Sequence, residues 1–404
     1  MRIAIFSLLI ISGTLPSFSQ TMDPYLAARA CMAQEKYDSA LVFLNSAADQ
    51  DPGDVDVLYH RGLCYFKELN FRKAYEDFLQ VEKKKKGMAS FYLAKTEVHL
   101  KHPEQAVKYL RIPLSSRYKL PEKQILLDED LASLEKRSDW RALWNEKNWY
   151  NQNDRDFQEA VFLSNHGSYL DAINILNYLE KRKFRKTDVH KMKAELFSEL
   201  GNERASMSEI NSAVESDVRN HAALQMRADK FREAEKYEEA LNDYNKLLRL
   251  DPASFEAYLS RATSKNETGD LEGALEDVDI YLLYFPERDT AWFVKGQIQY
   301  RHKKYLDALQ SMNKALDMNK GEPAYYHYRG LIYANRSGTL QYAEKDFSMA
   351  LDLDPLNGET WMQKGKVASR LGKPETACHD YKKAYQYGIH EARDFIDKHC
   401  LGNE

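Results

Sequence analysis

The chain has 404 residues, of which 30% are charged and 43% are hydrophobic, and its net charge at pH 7 is −4. The slight acidic excess argues against a nucleic-acid-binding protein, which normally presents a basic surface. A single hydrophobic core rarely grows beyond about 250–300 residues, whereas a stack of repeated units is free of that limit because each unit contacts only its neighbours.

The first segment has the features of an export signal. Arg2 precedes an apolar run over residues 3–11, and small residues follow. This arrangement is typical of a secretory signal peptide. The sequence therefore predicts a signal peptide over residues 1–20, with cleavage after Ser19 or Gln20; an uncleaved membrane anchor is the alternative. No other segment could span a membrane, so we expect a soluble mature chain in the periplasm or outside the cell.

Small residues recur downstream at a constant step. Apolar residues follow several of them seven positions later, and a proline closes many of the units. A constant period of about 34 residues predicts a solenoid of stacked units. The small residues that keep the step are Ala40 and Ala74, then Ala240, Ala274 and Ala308, and then Ala343 and Ala377.

Each unit has the pattern of two short helices joined by a polar turn. In the unit that begins near Asp289, Trp292, Gly296 and Tyr300 fall on the first helix, and Ala308 begins the packing face of the second. Small residues suit positions where two helix axes approach closely, and aromatic residues fill the space beside them. The pattern therefore predicts helical hairpins.

This pattern of Trp, Gly, Tyr, Ala and Pro resembles the tetratricopeptide repeat (TPR) family, over most of residues 21–390. An irregular helical array of another kind is the alternative. The resemblance implies an all-α fold, an αα-hairpin superhelix of about ten repeats in two arrays with a C-terminal cap helix. The units are predicted to begin near residues 21, 55, 87, 153, 187, 221, 255, 289, 323 and 358.

Residues 111–152 interrupt the period. Pro113 and Pro121 bound a polar stretch, and Trp140, Trp144 and Trp149 are three of the five tryptophans. These rings either seal the last unit of a short N-terminal array or form a ligand-contacting wedge between two arrays. The predicted order is a signal peptide (1–20), an N-terminal array (21–110), the interruption (111–152), a C-terminal array (153–390) and a capping helix with a tail (391–404).

No motif for catalysis, phosphate binding or a cofactor is found. We therefore expect no enzyme, no cofactor and no metal. The cysteines form two candidate disulfides, and buried free thiols are the alternative. Histidines adjoin two of the cysteines, but neighbouring residues on a helix point about 100° apart, which disfavours a shared metal site. The candidate pairs are Cys31 with Cys64 and Cys378 with Cys400.

In the TPR family the first helices line a concave groove, so the resemblance implies ligand contacts at positions i, i+4 and i+7 of each first helix. The combination of aromatic and basic residues there suits a protein partner; burial of the same rings is the alternative. The N-terminal groove around Tyr59 is the preferred centre. The candidate groove residues are Tyr25, Arg29, Tyr59, Leu63, Phe66, Phe91, Lys95, Phe293, Gln297, Tyr300 and His327.

These features predict an exported, non-catalytic scaffold that binds a protein or peptide segment, as an adaptor in cell-envelope assembly or secretion. The alternative is an accessory protein that binds glycan or peptidoglycan by stacking aromatic rings on sugars. Nucleic acid is not an expected partner.

Overall fold

The computed structural model describes residues 22–116, 118–147 and 149–400. The predicted signal peptide lies outside the described residues. In the described part of the chain every secondary-structure element is a helix. None of these helices combines the length and the apolar character that crossing a bilayer requires.

The helices form ten hairpins in two groups, which confirms the predicted helical solenoid. The first group is α1 (Pro24–Ala33) with α2 (Tyr37–Gln50), α3 (Val55–Lys67) with α4 (Phe71–Lys84), and α5 (Ser90–His99) with α6 (Pro103–Leu114). Three short helices follow, namely α7 (Glu122–Leu126), a 3₁₀ helix (Glu129–Leu134) and α8 (Ser138–Glu146).

The second group has seven hairpins and a final single helix. The first four hairpins are α9 (Gln152–Asn165) with α10 (Tyr169–Lys181), α11 (Lys186–Glu199) with α12 (Glu203–Ser216), α13 (His221–Glu233) with α14 (Tyr237–Leu250), and α15 (Phe255–Thr268) with α16 (Leu271–Tyr284). The last three are α17 (Asp289–Arg301) with α18 (Tyr305–Met318), α19 (Pro323–Ala334) with α20 (Leu340–Leu353), and α21 (Gly358–Arg370) with α22 (Pro374–Gln386). The single helix is α23 (Ala392–Cys400).

The interruption covers the end of the first group. Trp140 and Trp149 are 5% and 7% exposed and belong to the same apolar cluster as Leu110 of α6. The indole Nε1 of Trp149 donates a hydrogen bond to the carbonyl of Leu143 at 2.8 Å. Because other side chains of the protein cover these rings, the rings are not available to a ligand. This favours the interpretation that they seal the last unit of the first group over a ligand-contacting wedge.

Glycine on a first helix lets a large residue of the second helix lie directly against the backbone. A Cβ atom built on Gly330 would lie 2.8 Å from the ring of Phe347, and one built on Gly296 would lie 2.7 Å from the terminal methyl of Met312. Such distances are shorter than normal contact, so any side chain at these positions must displace its neighbour. The difference between the two sites is the stiffness of that neighbour.

We therefore expect Gly330→Ala to destabilise the fold by about 1–3 kcal/mol, because the ring of Phe347 is fully buried and rigid, so that it must move as a whole. Gly296→Ala is the matched control, since the flexible end of Met312 can rotate away. Chemical denaturation of both variants measures the difference. Equal losses of stability would contradict this explanation of the glycines.

Candidate functional site

The aromatic residues predicted for the N-terminal groove are mostly packing residues. Phe66 and Phe91 are each only 8% exposed. Tyr59 is half-buried, with its ring centroid 6.1 Å from that of Phe78, and burial raises the pKa of its hydroxyl to about 12. Leu63 is half-buried in the same cluster. At these four side chains the N-terminal groove therefore offers little open surface.

The cation predicted for that groove is held by acidic residues of the interruption. Lys95 Nζ lies 2.9 Å from Asp128 and 2.8 Å from Asp130. His99 Nε2 lies 2.6 Å from the same Asp130. Burial alone would raise the pKa of Asp130, but its bonds to Lys95 and His99 bring that pKa below its usual value. Lys95 thus joins the interruption to α5, and its charge is already compensated.

Tyr25 and Arg29 of α1 lie at one edge of the first group of hairpins. The Tyr25 hydroxyl accepts a hydrogen bond from Arg29 Nη1 at 3.3 Å and lies 3.3 Å from Nδ1 of His60. The negative charge of Asp251 acts on both the Tyr25 hydroxyl and the His60 ring. This edge of the first group is therefore close to the loop that follows α14.

An open cleft of about 430 Å³ lies between α15, α17 and α19. Two of the predicted groove residues, Gln297 and Tyr300, line it, while Phe293 and His327 do not. The lining residues are Thr263, Asn266, Glu267, Val294, Gln297, Ile298, Tyr300, Arg301, Tyr328 and Leu331.

The two predicted residues that lie outside the cleft have partners of their own. The ring of Phe293 packs against Tyr325 and Tyr328, with centroids 4.8 Å and 5.2 Å away. His327 Nδ1 is 2.8 Å from the Thr360 hydroxyl, and burial lowers the pKa of its imidazole. Both residues are half-buried and support the groove beside the cleft.

The open surface of the cleft combines polar and apolar groups and has no net charge. Arg301 and Glu267 neutralise each other at 2.7 Å. The Tyr300 hydroxyl accepts a hydrogen bond from Asn335 Nδ2 at 3.0 Å, and burial raises the pKa of Tyr300, which therefore stays neutral. Asn266 Oδ1 is buried and has no hydrogen-bond partner among the described residues. A buried acceptor of this kind is costly unless a donor reaches it, and a peptide N–H is such a donor.

A repeated buried ion pair was missed by the sequence analysis. An arginine of the first helix makes two bonds of 2.6–2.8 Å to an aspartate of the second helix, and also bonds an asparagine of the preceding hairpin. The signal was present as an Arg-to-Asp spacing, i to i+16 or i+17, that recurs with the repeat. The pairs are Arg61–Asp77, Arg227–Asp243, Arg261–Asp277 and Arg329–Asp346.

Three residues of α10–α12 could in principle hold a metal ion, but a variant of this ion pair explains why they lie together. Ligand atoms of Glu180, His190 and Glu209 all lie within 4.8 Å of one another. The ammonium of Lys193 is 2.6 Å from both carboxylates, in the place that a cation would take. Lys193 and Glu209 stand one full repeat before Arg227 and Asp243, so they are the equivalent pair of this hairpin. The group is a structural ion cluster.

The cysteines differ between the two ends of the chain. Cys378 of α22 and Cys400 of α23 form a disulfide, with Cα atoms 5.4 Å apart. Cys31 and Cys64 are both unpaired, so the second candidate disulfide is not formed. Burial raises the pKa of the Cys64 thiol to about 12, as expected of a packing residue.

Comparison with known proteins agrees with this architecture. A family model described as TPR repeat matches residues 228–264, and models described as tetratricopeptide repeat match residues 259–323 and 358–387. A crystal structure of a tetratricopeptide repeat protein from Parabacteroides merdae is 19% identical, with a TM-score of 0.52, and the match covers 61% of this chain and 97% of that one.

Two further solved structures align with lower scores. The C-terminal part of a TPR repeat-containing protein from Cytophaga hutchinsonii is 16% identical, with a TM-score of 0.47, over 59% of this chain and 98% of that one. Yeast Tom70 is 13% identical, with a TM-score of 0.43, over 94% and 95%. The helical hairpins, their constant step and the three family matches lead to one conclusion: this chain is a tetratricopeptide repeat protein.

Proposed function

We propose that the chain is an exported, non-catalytic scaffold that binds an extended segment of a protein partner in the cleft between α15, α17 and α19. TPR proteins are generally non-catalytic scaffolds for protein interactions, and we infer the same for this chain. The observation that carries the proposal is the cleft itself, because two predicted groove residues, Gln297 and Tyr300, line it together. An adaptor role in cell-envelope assembly or secretion fits such a binder.

Two features support export. The N-terminal segment has the charge and apolar pattern of a signal peptide. The Cys378–Cys400 disulfide is typical of proteins in oxidising compartments outside the cytosol.

The lining residues suggest how a peptide is held. Amide side chains such as Asn266 and Gln297 offer both a donor and an acceptor, which matches the N–H and C=O of an extended backbone. Tyr300 and Tyr328 offer broad apolar faces for the side chains of the segment. Because the cleft has no net charge, binding should depend only weakly on ionic strength.

To test this, a partner is first captured from envelope extract and identified. The shortest peptide of that partner that still binds is then used to measure affinity. The double variant Gln297→Ala, Tyr300→Ala is expected to weaken binding of that peptide by at least about 2 kcal/mol, roughly thirtyfold in Kd, while circular dichroism shows an unchanged helix content. Tyr342→Ala is the matched control, because Tyr342 is 59% exposed on α20 and lies away from the cleft.

A second control addresses the N-terminal groove. Tyr59→Ala with Phe91→Ala should lower the melting temperature and leave peptide affinity unchanged, since both rings pack inside the fold. Full peptide binding by the Gln297, Tyr300 double variant would contradict the proposed site. Retention on peptidoglycan with no protein partner would contradict the proposed class of ligand.

A further inference from the structure

The first helix of the chain packs against a hairpin of the second group. Leu26 and Ala30 of α1 belong to the same apolar cluster as Phe255 of α15 and Tyr284 of α16. Ala30 is only 1% exposed. The first unit of a solenoid has an apolar face that no preceding unit covers. Here α16 provides that cover, and the chain closes on itself.

Polar contacts are made at both ends of α1. Gln34 Nε2, just after the end of α1, donates a hydrogen bond to the carbonyl oxygen of Tyr284 at 3.4 Å, across 250 residues of sequence. The side chain of the same Tyr284 reaches the backbone of Asp23, just before the start of α1. We call the packing of α1 against Phe255 and Tyr284, together with these two hydrogen bonds, the closing contact.

The closing contact is weaker than the contacts between successive hairpins. Successive hairpins pack along whole helices, and several are also joined by a bond from a charged arginine to an asparagine of the preceding hairpin. The closing contact has one half-buried leucine, one buried alanine and neutral hydrogen bonds. Neutral hydrogen bonds exchange with water at little net cost, so this contact is the place where the closed chain opens most easily.

Later hairpins show how the position of Tyr284 behaves where no helix covers it. Met318, the last residue of α18, occupies the position that Tyr284 has at the end of α16, and Leu353 of α20 continues the row. Met318 is 43% exposed and Leu353 is 44% exposed. The position thus needs no cover for its hairpin to fold, and α1 can leave Tyr284 without unfolding α16.

We propose that the closing contact is a releasable latch that controls access to the first unit. When it is closed, Tyr25 and Arg29 of α1 lie beside the second group, close enough for Asp251 to act on Tyr25. When it opens, this edge of the N-terminal groove becomes accessible while every hairpin stays folded. The inference goes beyond the proposed function and holds whether or not the cleft binds a peptide.

The test compares full-length Tyr284→Ala with Met318→Ala, which removes the equivalent side chain where α1 does not lie. Hydrogen exchange of α1 amides should become about tenfold faster in Tyr284→Ala and stay unchanged in Met318→Ala. Small-angle scattering should show a larger maximum dimension in Tyr284→Ala alone. Circular dichroism should show the same helix content in both proteins.

A variant on the other side of the contact separates opening from local damage to α16. Leu26→Ser should produce the same faster exchange in α1 and the same larger dimension, with α16 exchange unchanged. Unchanged exchange and dimensions in both Tyr284→Ala and Leu26→Ser would overturn the proposal. Faster exchange confined to α16 in Tyr284→Ala, with Leu26→Ser like the wild type, would also overturn it.

Discussion

Replacing Arg61 with alanine is expected to destabilise the first group of hairpins by about 3–5 kcal/mol. Asp77 is 3% exposed, and both of its carboxylate oxygens are bonded by Arg61 at 2.7 Å and 2.8 Å. Without the guanidinium, a charged group remains buried without a partner, which costs far more than the loss of a surface ion pair. Urea denaturation followed by circular dichroism measures the loss.

Two comparisons make this prediction specific. Arg61→Ala combined with Asp77→Ala should recover part of the stability, because the unpaired charge is removed. Lys85→Ala should cost less than about 1 kcal/mol, since its pair with Asp56 is exposed and 3.6 Å long. A double variant that is no more stable than Arg61→Ala would contradict the explanation by an unpaired charge.

In the last hairpin an arginine can be introduced instead of removed. Lys364 stands where other hairpins have arginine, and its Nζ is 3.7 Å from Asp380. One oxygen of Asp380 has no partner among the described residues, and burial raises the pKa of this carboxyl. Lys364→Arg should therefore stabilise this hairpin at pH 7. The gain should fade as the pH falls through the pKa of Asp380 in the wild-type protein, which lies above that of a free aspartate.

Loss of the Cys378–Cys400 disulfide is expected to cost about 3 kcal/mol in the C-terminal hairpin. The bond closes a chain segment with a sequence separation of 22, and a crosslink of that length restricts the unfolded chain by about this amount. Cys400→Ser should lower the melting temperature, and dithiothreitol should lower that of the wild type to the same value. Cys31→Ser, at an unpaired cysteine, should respond to dithiothreitol as the wild type does. A wild-type melting temperature that is the same with and without dithiothreitol would contradict the prediction.

The hairpins were predictable because their contacts are local and repeated. A small residue on a first helix and a large residue on the helix that follows it meet in the same hairpin, as Gly62 and Phe78 do. The constant step of the repeat then gives the same signal several times. The Arg–Asp pairs also recur with the repeat, so they could have been predicted from the sequence. They were missed because charged residues on helices are usually solvated, which makes burial the less expected outcome.

The partner of Lys95 and the closing contact were not predictable in this way. Asp128 and Asp130 lie in the interruption, where no period relates them to α5. Gln34 and Tyr284 are 250 residues apart, and their meeting depends on the summed curvature of every hairpin between them. The helical period predicted Gln297 and Tyr300 on one stripe of α17, and both line the cleft, but only the packing shows which part of a groove stays open.

The most direct measurement of the central claim is a map of where the partner contacts the chain. A photoreactive residue placed at Gln297 should crosslink to the bound peptide, because Gln297 lines the cleft between α15, α17 and α19. The same residue placed at Tyr342 of α20 or at Leu63 of α3 should give no crosslink. Crosslinking at Leu63 or Tyr342, with none at Gln297, would contradict binding in this cleft.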